Sequence, residues 1–282
     1  MATLNIQPVT DLSLPELKAF CTLRRRQDIR RERLFVAEGD KVVCRLLESP
    51  FPVVSLLITE AWLQRIDDLL SRRTETIQVH VASTEQIDQI TGFESYQGIK
   101  ALGRVPEPPS LEALLAMAAP PRLFVALDGL NNAENVGVVT RNAAALGVQG
   151  ILQGDTSASP FLTRAVRVSM GAVFKLPVVE TDNLAAALRC LRVAGVRVVA
   201  AHPHTQQRAL WEADLRGDVC IVLGNEGYGL APEVLAACDD QVVIPMHSSV
   251  DSLNVGSASA AFFCEAARQR TAKQRPNDGC VS

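Results

Sequence analysis

The sequence lacks several features that would place it in a large class of proteins. No stretch approaches the roughly 20 consecutive apolar residues of a membrane-spanning helix. The start, MATLNIQPVTDL, has neither the charged end nor the apolar core of a signal peptide. Aromatic residues make up 5% of the chain and the net charge is −3, so no global positive field attracts nucleic acid. We expect a cytoplasmic protein without membrane association, in which any nucleic-acid binding uses a local basic patch.

The cysteines exclude two further classes of protein. There are seven, an odd number, and none forms a C-x-x-C pair. We expect buried, small apolar residues in a reducing compartment rather than disulfides or zinc ligands. His202 and His204 in AHPHT have no third ligand nearby in the sequence, so we interpret them as loop residues and expect no metal.

The length of 282 residues is enough for two domains, and a hydrophobic content of 48% suits an α/β protein. Short apolar runs alternate with amphipathic helices, which favours a small α/β domain over residues 1–105. Prolines bracket one short helix in a linker at 106–121. Residues 122–272 alternate strand and helix and predict a parallel sheet covered on both faces. In this domain we expect helices that end at Gly147 and Gly195, and Asp182 as a helix N-cap. The polar residues 273–282 form a tail.

Three stretches of the second domain repeat one design, at residues 123–147, 219–230 and 241–270. Each begins with an apolar strand and continues through a loop rich in Gly, Asn or Ser into a helix or turn. In open α/β sheets such loops gather at the carboxyl ends of the strands and form the binding site. We therefore expect the three loops to lie together.

A basic region stands out in the otherwise acidic chain. Residues 20–45 carry eight basic and four acidic side chains, a local net charge of +4. This pattern fits a surface that contacts phosphates, and equally a solvated helix face held by ion pairs one turn apart. Both interpretations stay open. The arginines concerned are Arg24, Arg25, Arg26, Arg30 and Arg31.

The loops carry motifs that occur in one known family. They are N-x-G-x-x-x-R from Asn135 to Arg141, LGNEGYGL at 223–230, and IPM followed by SLNV at 244–254, with a softer match in RVSMGAVFKLPV at 167–178. In this order they resemble the SpoU family of RNA ribose methyltransferases, within the SPOUT superfamily. The stretch RRRQDIRRERLFVAEGDKVV resembles the ribosomal-protein-like substrate-binding domain that often precedes the catalytic domain of this family.

The resemblance implies properties that no pattern argument would have produced. It implies a catalytic domain with a deep trefoil knot, contrary to the general rule against knots. It also implies S-adenosylmethionine held bent in that knot, and a homodimer in which residues of one subunit complete the site of the other. The implied reaction is methylation of a ribose 2′-hydroxyl in RNA. The extra N-terminal domain favours ribosomal RNA over transfer RNA.

Motif positions matched to the family give candidate site residues. The cofactor-binding candidates are Gly224, Ile244, Met246 and Leu253, and the catalytic candidates are Asn135, Arg141, Glu226, Ser252 and Asn254. The family assigns the position of Arg141 as a base. A guanidinium is always protonated in proteins, so we expect it to hold a phosphate and stabilise the developing alkoxide. Arg164 and Arg167 join the five arginines above as RNA-binding candidates. Ser248 stands where family members often have glycine, which could alter the cofactor fit.

Two rival functions are open from sequence. One is a non-catalytic RNA-binding assembly factor that kept the fold. The other is a dinucleotide enzyme, although GNEGYG has the wrong spacing and comes too late in the chain for that fingerprint.

Overall fold

A computed structural model describes residues 2–92, 97–247 and 251–271. The chain divides into two compact units: residues 1–107 with 158–175, and residues 108–157 with 176–282. The first break lies close to the predicted start of the linker. The segment 158–175, which the sequence placed in the second domain, packs with the first unit. The expectations for Ser248 and for the tail at 273–282 concern residues outside the described part of the chain.

The first unit is built around a mixed sheet of five strands in the order β1-β4-β3-β5-β2. β1 and β3 each pair in parallel with β4, whereas β5 is antiparallel to both β3 and β2. The strands are β1 (Thr3–Pro8), β2 (Leu34–Glu38), β3 (Val53–Ile58), β4 (Thr76–Val81) and β5 (Ile99–Arg104). The helices are α1 (Ala19–Thr22), α2 (Arg26–Glu32), α3 (Asp40–Glu48), α4 (Glu60–Arg65), α5 (Asp67–Ser71), α6 (Thr84–Thr91) and α9 (Thr163–Val168), with 3₁₀ turns at Pro15–Leu17 and Ala172–Lys175.

A buried ion pair lies inside this unit. Lys100 on β5 and Glu38 on β2 are register partners, and Lys100 Nζ lies 2.8 Å from Glu38 Oε1, with both side chains at most 3% exposed. The second carboxylate oxygen of Glu38 lies 3.5 Å from Arg167 on α9. Two positive charges therefore compensate one buried carboxylate, which offsets its desolvation. Arg167, a candidate RNA contact, also has this structural role.

The second unit contains a six-stranded sheet in the order β11-β9-β10-β6-β7-β8, and every neighbouring pair is parallel. This confirms the predicted α/β class with a parallel sheet. The strands are β6 (Leu123–Leu127), β7 (Gly150–Gln153), β8 (Val178–Glu180), β9 (Arg197–Ala201), β10 (Val219–Leu223) and β11 (Asp240–Val242). The helices are α7 (Leu111–Met117), α8 (Ala133–Ala145), α10 (Leu184–Val193), α11 (Pro232–Leu235) and α12 (Val255–Thr271), with a 3₁₀ turn at Leu210–Glu212.

The helix ends follow the sequence signals with one exception. Gly147 and Gly195 have φ of +82° and +81° just beyond α8 and α10, a conformation that glycine adopts without strain. The N-cap of α10 is Asn183, not Asp182, because the Asn183 side chain accepts a hydrogen bond from Ala186 N at 2.9 Å. The prediction was therefore wrong by one residue, since either side chain suits an N-cap and only the backbone path selects between them.

The central strands are apolar and buried, which is typical of a parallel sheet covered on both faces. The cysteine prediction was correct for Cys220, which is buried in β10, but wrong for Cys190 and Cys264, which are exposed on helices. Both lie on outward faces, where a small apolar residue is tolerated. In the described ranges, no helix is long and apolar enough to cross a membrane.

Candidate active site

The predicted loops gather at one edge of the second unit. The predicted loop after β6 meets the predicted loop after β10, where the Asn225 amide donates to Gly129 O. The loop after β9 was not predicted; it lies between the loops after β10 and β11, because β9 pairs in parallel with both of those strands. Together with the start of α12, the loops after β9, β10 and β11 enclose a cavity of about 240 Å³. Six candidate residues line it: Gly224, Glu226, Ile244, Met246, Ser252 and Leu253. Asn135, Arg141 and Asn254 do not line this cavity.

The loop after β10 is held rigid by Asn225. Its backbone exchanges two hydrogen bonds with Gly229, each 2.9 Å long. Its side-chain oxygen accepts from Gly227 N at 2.8 Å and Tyr228 N at 3.1 Å, and its amide donates to Gly129 O at 2.7 Å. The motif contained Asn225, but we had given it no role. Asn and Gly in a tight turn were the available signal.

Gly224 lies at the closest backbone approach in this loop. A Cβ atom there would lie 2.7 Å from the carbonyl carbon of Gly229 and 2.9 Å from Leu230 N, too close for any side chain. The backbone on both sides of the turn can therefore reach a ligand in the cavity without an intervening side chain.

Three predicted catalytic residues form one hydrogen-bonded network. The Asn135 amide, on α8, donates to Glu226 Oε1 in the loop after β10. The Asn254 amide donates to Asn135 Oδ1 at 3.1 Å, and its own oxygen accepts from Gly256 N at 2.9 Å in the first turn of α12. Each amide therefore has a fixed orientation. Among the described residues, Glu226 Oε2 has no hydrogen-bond partner, and the residue is exposed.

Close packing of α8 against α12 fixes the geometry of this network. Gly256 lies against Val138, where an added Cβ would be 2.5 Å from a methyl carbon. The Asn142 amide donates to Gly256 O at 2.8 Å and to Ser259 Oγ at 3.0 Å. These contacts hold α8, which carries Asn135, against α12, which follows Asn254, and so keep the two side-chain amides within hydrogen-bond distance.

A buried carboxylate, that of Asp128, also holds the loop after β10 in place. Asp128, directly after β6, is 7% exposed and accepts a hydrogen bond from Ala231 N at 2.7 Å. Burial raises the pKa of this carboxyl, and the backbone donor at Ala231 opposes the shift. Sequence reasoning missed Asp128, although an acidic residue at the end of a buried strand was a usable signal.

Arg141 is placed differently from the other catalytic candidates. It lies on α8 and is exposed, and within residues 2–92, 97–247 and 251–271 its side chain has no hydrogen bond or ion pair. The helix turns by about 100° per residue, so Arg141 and Asn135, six positions apart, face different directions. Within this chain, Arg141 therefore does not join the network.

The remaining candidates, the RNA-binding arginines, lie in the first unit. Arg24, Arg25, Arg30 and Arg31 are exposed and Arg26 is half-buried, and Arg31 pairs with Asp28 and Glu32. Arg164 is exposed on α9. His202 and His204 line the cavity with ring centroids 6.2 Å apart. No cluster of three or more potential metal ligands occurs in the described residues.

A parallel α/β sheet with glycine- and asparagine-rich loops around a cavity at its carboxyl edge defines an α/β ligand-binding enzyme domain. The comparisons narrow this class. Residues 122–264 match the model of the SpoU rRNA Methylase family. The chain therefore belongs to the SpoU family of RNA methyltransferases.

Individual relatives agree with this assignment. An uncharacterized tRNA/rRNA methyltransferase from Mycobacterium tuberculosis is 35% identical over 273 residues, which cover 94% of this chain and 93% of the relative. The 23S rRNA (guanosine-2′-O-)-methyltransferase RlmB from Xanthomonas campestris is 34% identical over 201 residues, 70% of this chain and 80% of the relative. The AdoMet-bound rRNA methyltransferase from Sinorhizobium meliloti superposes with a TM-score of 0.79 at 27% identity, covering 93% and 98% of the two chains.

Proposed function

We propose that this protein transfers the methyl group of S-adenosylmethionine to a ribose 2′-hydroxyl of structured RNA, with ribosomal RNA favoured over transfer RNA. The observation that carries the proposal is the network of Asn135, Glu226 and Asn254 at a cavity framed by backbone loops. The substrate class draws support from the Xanthomonas relative, whose name specifies guanosine 2′-O-methylation of 23S rRNA.

The cavity suits the proposed cofactor. Its walls combine exposed backbone at Gly224 with the side chains of Ile244, Met246 and Leu253, a mixture suited to an adenosyl group. When bound, S-adenosylmethionine supplies an activated methyl group on a sulfonium. The Sinorhizobium structure was solved with this cofactor, which supports the assignment. We propose that these four residues hold it, in the knotted backbone typical of the family.

The network is suited to orienting a hydroxyl. Glu226 Oε1 is occupied by Asn135, which leaves Oε2 to accept a hydrogen bond from a ribose O–H. That bond points a lone pair of the hydroxyl oxygen away from the carboxylate, and Oε2 takes the hydroxyl proton as the oxygen gains the methyl group. Asn254 locks Asn135 in turn, and Ser252 offers a hydroxyl at the cavity wall. The protein thereby supplies preorganised positioning, which lowers the entropic part of the barrier.

We propose that the site is completed in a homodimer, by Arg141 of the second subunit. Arg141 is exposed and lies outside the cavity of its own subunit, so we propose that a second subunit supplies it. There its planar fork holds a phosphate next to the target ribose and stabilises the developing alkoxide. The first unit, with its basic region and Arg164 and Arg167, binds the surrounding RNA in a cytoplasmic setting.

Radiolabelled S-adenosylmethionine and RNA that lacks the modification test this function. Purified protein is incubated with total RNA, which is then separated by size and digested to nucleosides. We expect a labelled 2′-O-methylnucleoside from ribosomal RNA, and loss of most label with Arg141→Lys, which keeps the charge but not the fork. A labelled base would overturn the reaction. Cofactor binding without transfer to any RNA would favour the assembly-factor alternative.

A further inference from the structure

We propose that Tyr228 is a stacking platform for a nucleobase at the target nucleotide, and thereby helps to select the RNA. This inference rests on the proposed function. Tyr228 is 95% exposed, the largest exposed fraction among the large hydrophobic and aromatic side chains of the described residues. A fully solvated phenol ring contributes nothing to the core, so folding stability does not explain it.

The ring is presented on a fixed support. Tyr228 N donates to Asn225 Oδ1 at 3.1 Å, and the paired backbones of Asn225 and Gly229 close the turn on either side. Its neighbours, Gly227 and Gly229, have no side chains that could cover the ring faces. The described residues make no ring contact with it. A rigid aromatic surface of this kind binds a flat partner at low conformational-entropy cost.

The position of the ring identifies the partner. Tyr228 is two residues from Glu226, and both line the same cavity. A ribose whose hydroxyl reaches Glu226 brings its own base, or the adjacent base, to the rim of this cavity. RNA enzymes and sequence-specific RNA binders commonly place unpaired bases on aromatic rings. A base is the part of a nucleotide that offers a π-face, whereas phosphate and sugar do not.

Steady-state methyl transfer to an unmodified 23S ribosomal RNA transcript tests the assignment. Stacking of one base on an aromatic side chain is worth roughly 1–3 kcal/mol, so Tyr228→Ala should raise the KM for RNA about 5- to 150-fold and change kcat less. Tyr228→Phe, which keeps the ring, should stay within about twofold of wild type. Trp211→Ala removes another exposed aromatic residue, one that does not line the cavity, and serves as the matched control.

Two further measurements separate the rival explanations. Calorimetry with S-adenosylmethionine should give the same Kd for wild type and Tyr228→Ala. Light scattering should give the same oligomeric state for both. An unchanged KM for RNA in Tyr228→Ala would overturn the inference. A variant that dissociates into smaller species would also overturn it, because the ring would then contact a second copy of the chain.

The inference can fail separately from the proposed function. If wild type transfers no methyl group to this transcript or to total RNA, the proposed function fails. Filter binding of the same transcript then decides the role of Tyr228. Weaker binding by Tyr228→Ala than by Tyr228→Phe and wild type supports the platform, whereas equal binding by all three proteins rejects it.

Discussion

Replacing Gly224 by alanine should weaken cofactor binding through a local clash. The added Cβ would lie 2.7 Å from the Gly229 carbonyl carbon, 2.8 Å from its oxygen and 2.9 Å from Leu230 N. Ordinary contacts between heavy atoms are about 3.5–4.0 Å, so one side of the turn must move by roughly 1 Å. These neighbours are backbone atoms and cannot rotate away. Such overpacking costs about 1–3 kcal/mol.

If this strain falls on the ligand-binding form of the loop, the Kd for S-adenosylmethionine rises about 5- to 150-fold. Isothermal titration calorimetry measures the Kd, and urea unfolding measures any loss of global stability. Gly227→Ala is the matched control in the same loop, because its Cβ would meet only Asn225 Oδ1 at 3.4 Å. Wild-type affinity and stability in Gly224→Ala would refute the close-approach reasoning.

Three further predictions concern stability. The Arg270 guanidinium donates hydrogen bonds to four backbone carbonyl groups. Arg270→Lys should therefore lower the free energy of unfolding, measured by urea titration, by about 2–4 kcal/mol. A loss under about 0.5 kcal/mol would contradict this role. Asn183→Ala should cost about 1 kcal/mol in the same assay and Asp182→Ala under about 0.5 kcal/mol, and the reverse order would reject Asn183 as the cap. Burial lowers the pKa of His80 in the folded state, and the charge of Glu16 opposes this shift more weakly. The stability that neutral His80 contributes is therefore present above about pH 6.5 and is lost as the pH falls below that value. His80→Gln should flatten that acid-side loss in unfolding free energies measured from pH 7.5 to 5, and an unchanged slope would show that other groups cause it.

The local order of the chain was predictable because it depends on short-range patterns. Apolar runs mark the buried strands from Leu123 and Val219, and glycines at 147 and 195 mark helix ends. Those signals act over a few residues, so the α/β class follows directly from them. The motifs added the family, since their order reflects common descent rather than physical necessity.

Contacts between distant residues were harder to predict. Nothing in a local pattern pairs Glu38 with Lys100, 62 residues away, or packs α9 with the first unit. The choice of Asn183 over Asp182 as a cap also depended on the backbone path, because both side chains are chemically suitable. These details depend on register and packing, which a single sequence leaves unspecified.

The sequence by itself determined the alternation of strands and helices, the three loops and the residue types at their tips. The tertiary structure decided which of those residues meet. It joins Asn135 to Glu226 across 91 residues and to Asn254 across 119, because three parallel strands and the α8–α12 contact bring their ends together. It also leaves Arg141 facing away from that network, since helix geometry, not motif membership, sets the direction of a side chain.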